Sequence, residues 1–201
     1  MDIVDLLKNS DKLKEALREA IWNNDRKLAK ALIPLVKDLE LTYLYAAKII
    51  KGKIKDEWED IIAQDEIYSF HYARNILKGR FEKGEEIISK SAEYSFYYAR
   101  DVLKNRFEKG EEAISKSDEY SFRYAKNILK GRFKKGEDAI SKSTKYSFYY
   151  AKDVLKNRFE KGEEAIINDK KILKEYMKFL KKRGKLDEFL KDHPEIKKEV
   201  K

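Results

Sequence analysis

The sequence predicts an all-α fold, an α-solenoid of helix–turn–helix repeats closed by a helical cap at each end. Three observations predict it. First, Tyr-Ser-Phe recurs at Tyr68, Tyr94, Tyr120 and Tyr146 and Lys-Gly-Glu at Lys83, Lys109, Lys135 and Lys161, each at a constant step of 26 residues. Near-identical units with a period of roughly 20 to 50 residues mark a repeat array. Second, apolar residues inside one unit recur at helical spacing over an arc too wide for a helix with a single neighbour. Third, the composition is 42% hydrophobic and 41% charged: enough apolar material for a continuous core, with charge that suits a thin body rich in surface. One array with caps fits this better than two compact domains.

Residues 1–40 read as the N-terminal cap. Ser10 is placed to cap a helix carrying Leu13, Leu17, Ile21 and Trp22, which ends at Asn23-Asn24. A second helix from Asp25 carries Leu28, Leu32 and Leu35, and Pro34 inside that pattern predicts a kink or a stop. Residues 41–167 read as five repeats, the first divergent. Its Tyr43-Leu-Tyr-Ala-Ala-Lys-Ile-Ile-Lys-Gly52 and Trp58-Glu-Asp-Ile-Ile62 echo the later units after small shifts in the turn. A terminal repeat is expected to be atypical because one of its faces meets a cap.

Each unit is numbered here from its Tyr. Positions 1, 2, 3, 5, 6, 9 and 10 form the apolar arc, and positions 4, 7, 8 and 11 the opposite face. Ser91, Ser117 and Ser143 precede three of the long helices as N-caps. Position 12 is Gly79, Asn105, Gly131 or Asn157, residue types that tolerate the left-handed conformation at a helix end. A Phe at position 14 packs back, and Gly-Glu-Glu-Ala-Ile forms a second helix of about two turns with its acids near the positive end of the helix dipole. Neither helix buries its apolar arc alone, so the units must stack. Alternate units match (Asn75-Ile-Leu-Lys-Gly79 with Asn127–Gly131, Asp101-Val-Leu-Lys-Asn105 with Asp153–Asn157), which suggests duplication of a two-repeat block.

Residues 168–201 read as the C-terminal cap. Ile172, Leu173, Tyr176, Met177, Phe179 and Leu180 make one helix, Gly184 breaks it, and Leu186, Phe189 and Leu190 begin another. Pro194 then opens a Lys/Glu-rich tail expected to fray.

The wording Tyr-Ala-Arg-Asp-Val-Leu-Lys-Asn-Arg-Phe-Glu-Lys-Gly-Glu resembles a family of short tandem repeats of the form Ser-Pro-Glu-Tyr-Ala-Tyr-x-Tyr-Ala-x-x-Val-Leu-Lys-Gly-Arg-Phe-Pro-Glu-Gly-Glu. Those repeats occur in proteins of bacteriophages, large DNA viruses and microbes, mostly without an assigned function. The resemblance covers roughly residues 41–167 and implies a short-helix solenoid of phage or viral origin. The chain departs at both family prolines: Ala92, Asp118 or Thr144 stands at the helix start, and Glu82, Glu108, Lys134 or Glu160 in the turn. No catalytic residue is carried over.

With no Cys, disulfides, thiol chemistry and Cys-ligated zinc are excluded, and a reducing, cytoplasmic setting is the expectation. No apolar run approaches the roughly 18 residues of a membrane span. The first seven residues lack the basic-then-apolar layout of a secretion signal. Enzyme signatures are missing too. His71 and His193 lie far apart, the single glycines sit between helices rather than in a phosphate loop, and adjacent acids such as Glu85-Glu86 point about 100° apart on a helix. No catalytic residue, cofactor or metal is expected.

The face at positions 4, 7, 8 and 11 carries the functional reading. It comprises His71, Arg74 and Lys78; Tyr97, Arg100 and Lys104; Arg123, Lys126 and Lys130; and Tyr149, Lys152 and Lys156, with Asn or Asp at position 8. Each unit thus pairs two cations one helical turn apart with one varying residue. The net charge is +9, and its positive balance lies in the repeats and the C-terminal cap. A solvated helix face and cations near a helix C-terminus account for much of this pattern without a ligand. As a ligand face it suits a protein partner, an acidic one by charge, held without turnover. The alternative is RNA or single-stranded DNA tracked along basic ridges. Head-to-tail self-assembly is a third reading. The Tyr/Phe stripe at positions 1, 3 and 5 reads as core, with Tyr hydroxyls reaching carbonyls at the repeat interface. Arg80, Arg106, Arg132 and Arg158 at position 13 read as partners of the acids in the following helix.

Overall fold

A computed structural model describes residues 9–196. Among these the regular elements are all helical, and none is long and apolar enough to cross a membrane. Residues 1–8 and the tail past 196 lie outside the described residues. The chain falls into two compact units, Met1–Leu103 and Lys104–Lys201, the boundary lying inside the third repeat just after its long helix.

In the first unit, helix Ser10–Trp22 is capped by Asn9, whose side chain accepts from the backbone N–H groups of Asp11 and Lys12, so Ser10 is its first helical residue rather than its cap. Leu13, Leu17, Ala20 and Ile21 are buried, whereas Trp22 is 63% exposed with the Lys48 ammonium 3.1 Å from its ring centre. Asp25 caps helix Arg26–Leu32, and Pro34 stops it in a 3₁₀ turn, Ile33–Leu35. Ala29, Ile33 and Val36 take the core places there, and Leu28 and Leu35 are exposed. This helical pair packs on the long helix of the first repeat, Leu39–Leu44 continued by Tyr45–Ile50.

The long helix of each repeat changes character halfway. Glu66–His71 and Ala92–Tyr97 are α-helical, and Tyr72–Leu77 and Tyr98–Leu103 continue as π-helix. The second unit repeats this with Asp118–Tyr124 then Ala125–Leu129, and Thr144–Tyr149 then Tyr150–Leu155. Ser91, Ser117 and Ser143 are the N-caps, as the pattern predicts. The helix end differs from the expectation. The left-handed residue is the Lys at position 11 (Lys78, Lys104, Lys130 and Lys156, φ between 50° and 53°), not the Gly or Asn at position 12. The cause is the widened i→i+5 turn. The N–H groups of Lys78 and Gly79 both return to the carbonyl of Ala73, closing the helix one residue early. A Cβ on Gly79 or Gly131 would meet only a backbone oxygen 3.7–3.8 Å away, which explains why Asn serves equally well in alternate units. The widening also leaves positions 9 and 10 (Ile76 and Leu77 and their equivalents) half-buried, so the apolar arc is narrower there than a 100° step implies.

Position 14 packs back as expected. The Phe81, Phe133 and Phe159 rings stand edge-on to Tyr72, Tyr124 and Tyr150 of the same repeat, at 5.0–5.3 Å between centres. Position 17 is glycine for a spatial reason. A Cβ on Gly84 would lie 2.5 Å from the Phe81 ring and 2.8 Å from the Ser69 Cβ, and Gly136 and Gly162 are confined in the same way by Ser121 and Ser147. That buried Ser, at position 2, also ties repeats together. Ser69 donates its hydroxyl to the carbonyl of Ile62 at 2.9 Å, Ser121 to Ile114 at 2.8 Å and Ser147 to Ile140 at 2.9 Å. Within each unit, successive long helices pack on one another.

These contacts distinguish two glycines. Gly84→Ala is expected to destabilise the fold by about 1–3 kcal/mol through overpacking. Gly79→Ala is expected to cost nothing, or to stabilise by about 0.4–1 kcal/mol through the unfolded chain. Urea unfolding followed by circular dichroism measures both; equal effects would contradict the packing described.

Candidate functional site

The residues at positions 4, 7 and 11 lie at or near the surface of their own unit. In the first unit Arg74, Lys78 and Arg100 are exposed and His71 and Tyr97 half-buried. In the second, Lys104, Lys126, Lys130, Lys152 and Lys156 are exposed and Arg123 and Tyr149 half-buried. What the sequence did not reveal is how thoroughly the position-7 cations are engaged. Each lies over the Phe four residues earlier, a helical neighbour on the same face. Arg74 is 4.9 Å from the Phe70 ring, Arg100 5.4 Å from Phe96, and Lys126 and Lys152 5.5 Å from Phe122 and Phe148. The rings themselves are buried core, so each cation closes the outer side of the aromatic stripe.

Acids on the face neutralise part of it. Arg100 donates twice to Asp101, at 2.6 and 2.8 Å, and Lys126 reaches across to Asp153 of the next repeat at 2.7 Å. The bonds from Arg100 hold the Asp101 carboxyl below the ordinary range against the upward pull of burial. Arg123 pairs with Glu119. His71 adds no charge at neutral pH: burial, and then the Arg74 guanidinium, push its pKa below 6.5. Lys78, Lys104, Lys130 and Lys156 are exposed and have no ion pair among the described residues. The half-buried rings at position 4 bridge neighbouring helices. Tyr97 touches Phe96 and Phe70, and Tyr149 touches Phe148 and Phe122, with ring centres 5.5–6.2 Å apart.

Two features escaped the sequence reading. One is that helix Lys170–Lys182 is a long helix in the repeat register. Adding 26 to Tyr150, Lys152 and Lys156 gives Tyr176, Lys178 and Lys182. That arithmetic was the available signal, obscured because Ser-Phe is replaced by Leu-Lys at positions 2 and 3. The other is the first acid of each pair. Glu59, Glu85, Glu111, Glu137 and Glu163 are buried, while their neighbours Glu86, Glu112, Asp138 and Glu164 are exposed. Helix-start electrostatics explains the exposed acid; the buried one has a structural partner set. Arg80, Arg106, Arg132 and Arg158 each donate twice to it, as the position-13 reading expects. The position-5 Tyr of the following repeat also donates to it: Tyr72 to Glu59 at 2.9 Å, Tyr150 to Glu137 at 3.1 Å and Tyr176 to Glu163 at 2.8 Å. The same hydroxyl accepts the backbone N–H at position 14, as in Phe81 to Tyr98 and Phe133 to Tyr150, both 2.9 Å. The Tyr hydroxyls therefore meet carboxylates and N–H groups rather than the carbonyls expected. Burial pushes the Tyr124 hydroxyl up to about 12, so it remains a donor.

These junctions are saturated, and among the described residues no group of three or more His, Cys, Asp or Glu is placed to hold a metal ion. Burial pulls the Glu111 and Glu163 carboxyls upward, but bonds from Arg106 and Lys135 to the one, and from Arg158 and Tyr176 to the other, bring both below the ordinary 4.5. A lowered folded-state pKa contributes stability above the unfolded value, lost as pH falls through the folded one. The melting temperature is therefore expected to hold down to about pH 5 and to fall steeply below about pH 4.5. Glu111→Gln should lower it at pH 7 and flatten that acid limb; an unchanged limb would mean that this carboxyl is not held ionised. Compared with known protein families, curated proteins and solved structures, the chain matches none.

Proposed function

We propose that the protein is a non-catalytic α-solenoid scaffold that holds another protein, one presenting acidic side chains, on the face built from positions 4, 7, 8 and 11. The observation carrying this reading is that the stripe of rings is already covered by the chain's own cations, Arg74, Arg100, Lys126 and Lys152. Single-stranded nucleic acid gains much of its affinity by stacking bases on open aromatic faces. A covered stripe leaves point charges and half-buried ring edges, the chemistry that suits carboxylates and side chains of a folded partner. Asp101 and Asp153 lower the positive density that a phosphate backbone would select for. The resemblance to phage, viral and microbial repeats agrees with a binding scaffold.

The second reading, RNA or single-stranded DNA along the ridge, draws on the four exposed lysines at position 11, which stand without an ion pair among the described residues. Fluorescence anisotropy at about 50 mM salt separates the two, using labelled polyglutamate and a labelled oligothymidylate. Polyglutamate is expected to bind, and Lys126→Glu with Lys130→Glu to weaken it by about fivefold or more. Tighter binding of the oligothymidylate, with log K falling by about 0.7 per phosphate neutralised as log salt rises, would reverse the order of the two readings.

A further inference from the structure

The second unit contains a cleft of about 340 Å³ between the long helix over 144–155 and helix Lys170–Lys182. Phe148 and Lys152 line it from the first helix, and Lys178, Phe179, Lys181 and Lys182 from the second. Glu175 is the acid at its rim and is paired with Lys178 at 2.9 Å, where that bond holds its carboxyl below the ordinary range. Lys181 and Lys182 are exposed with no ion pair among the described residues. The cleft therefore combines an excess of unneutralised ammonium groups with an apolar lining of two rings.

The orientation of those rings selects the occupant. Phe148 is only 6% exposed, with the Lys152 ammonium over its ring and Tyr176 edge-on to it. Phe179 is stacked on Tyr176 with an interplanar angle of 29° and carries the Arg183 guanidinium 5.7 Å from its centre. Neither ring presents an open face to a base. With the ring faces engaged, the apolar part of the cleft suits an aliphatic side chain rather than a stacked base, and the ammonium groups around it suit carboxylates on the flanking residues.

Resting on the scaffold reading above, we propose that this cleft is the anchor point of the face. It takes a partner segment in which one large aliphatic residue is flanked by Asp and Glu. The aliphatic side chain lies between Phe148 and Phe179, and its acidic neighbours reach Lys152 on one helix and Lys181 and Lys182 on the other.

The test uses the full chain and three fluorescein-labelled probes: a decapeptide of Asp and Glu with one central Leu, the same peptide with Ser at that place, and a twenty-residue oligothymidylate. The Leu peptide is expected to bind about tenfold tighter than the Ser peptide. Lys152→Glu, and Lys181→Glu combined with Lys182→Glu, should each weaken it by about tenfold, and Lys90→Glu, exposed and off this face, by less than about twofold. Circular dichroism confirms that each variant folds. Equal binding of the two peptides, with losses no larger than those from Lys126→Glu and Lys130→Glu, overturns the anchor and leaves the scaffold reading standing. No binding of either peptide, or tighter binding of the oligothymidylate, overturns both.

Discussion

The constraint on which each unit depends is a buried carboxylate that joins one repeat to the next. Removing a carboxylate from water costs several kcal/mol unless its oxygens are fully bonded. Here the side chains of Glu85 and Glu111 are 0% exposed, yet each meets an Arg five residues earlier in its own repeat and a Tyr hydroxyl from the repeat that follows. The Arg bond is local and forms within one repeat. The Tyr bond forms only when two repeats are docked in register, and the same hydroxyl satisfies the N–H of Phe81 or Phe107. A slip between repeats would leave the buried carboxylate with its Arg alone and a hydroxyl and an N–H without partners. Such a group adds little net stability over an apolar packing but makes wrong registers expensive. The surrounding apolar contacts (Tyr72 with Phe81, Ser69 with Gly84) then need only fill space around a fixed point.

The ends of the chain follow from the same constraint. The last carboxylate, Glu163, has no further full repeat to dock on, and helix Lys170–Lys182 supplies Tyr176 in the right register. Helix Leu186–Asp192 then closes the outside: Arg158 is 7% exposed where its counterparts are about half exposed, and it pairs with Asp192 as well as Glu163. His193 reaches Glu163 at 3.1 Å. At the other end Glu59 takes Tyr72 but has Lys53 in place of the arginine fork.

Much of this was legible from residue types. The step of 26 residues, the Ser caps, the stop at Pro34, the returning Phe and the Arg pairing with the next acid each rest on a local rule, and each is where that rule puts it. The rest depends on geometry that a fixed 100° step conceals. The π-helical second half moves the left-handed residue from Gly79 to Lys78 and leaves Ile76 and Leu77 half-buried. Of two adjacent Glu residues, only packing decides which is buried. At positions 4, 7, 8 and 11, charges were readable but their pairing was not: Arg74 over Phe70 follows from an i, i+4 spacing, whereas Lys126 to Asp153 requires knowing which helices are neighbours.

A double-mutant cycle at one interior junction of the second unit addresses the central claim directly. Tyr150→Phe, Glu137→Gln and the double variant, compared with the parent by urea unfolding, isolate the energy that passes between repeats through the 3.1 Å bond. The account predicts a coupling of about 1–2 kcal/mol and single-variant losses of about 1–3 kcal/mol each, since Tyr150→Phe leaves the Phe133 N–H without its acceptor, and Glu137→Gln sets an amide donor against the Arg132 fork and weakens the acceptor that Tyr150 uses. Additive losses, with a coupling below about 0.3 kcal/mol, would show that the buried carboxylate does not set the register of the repeats.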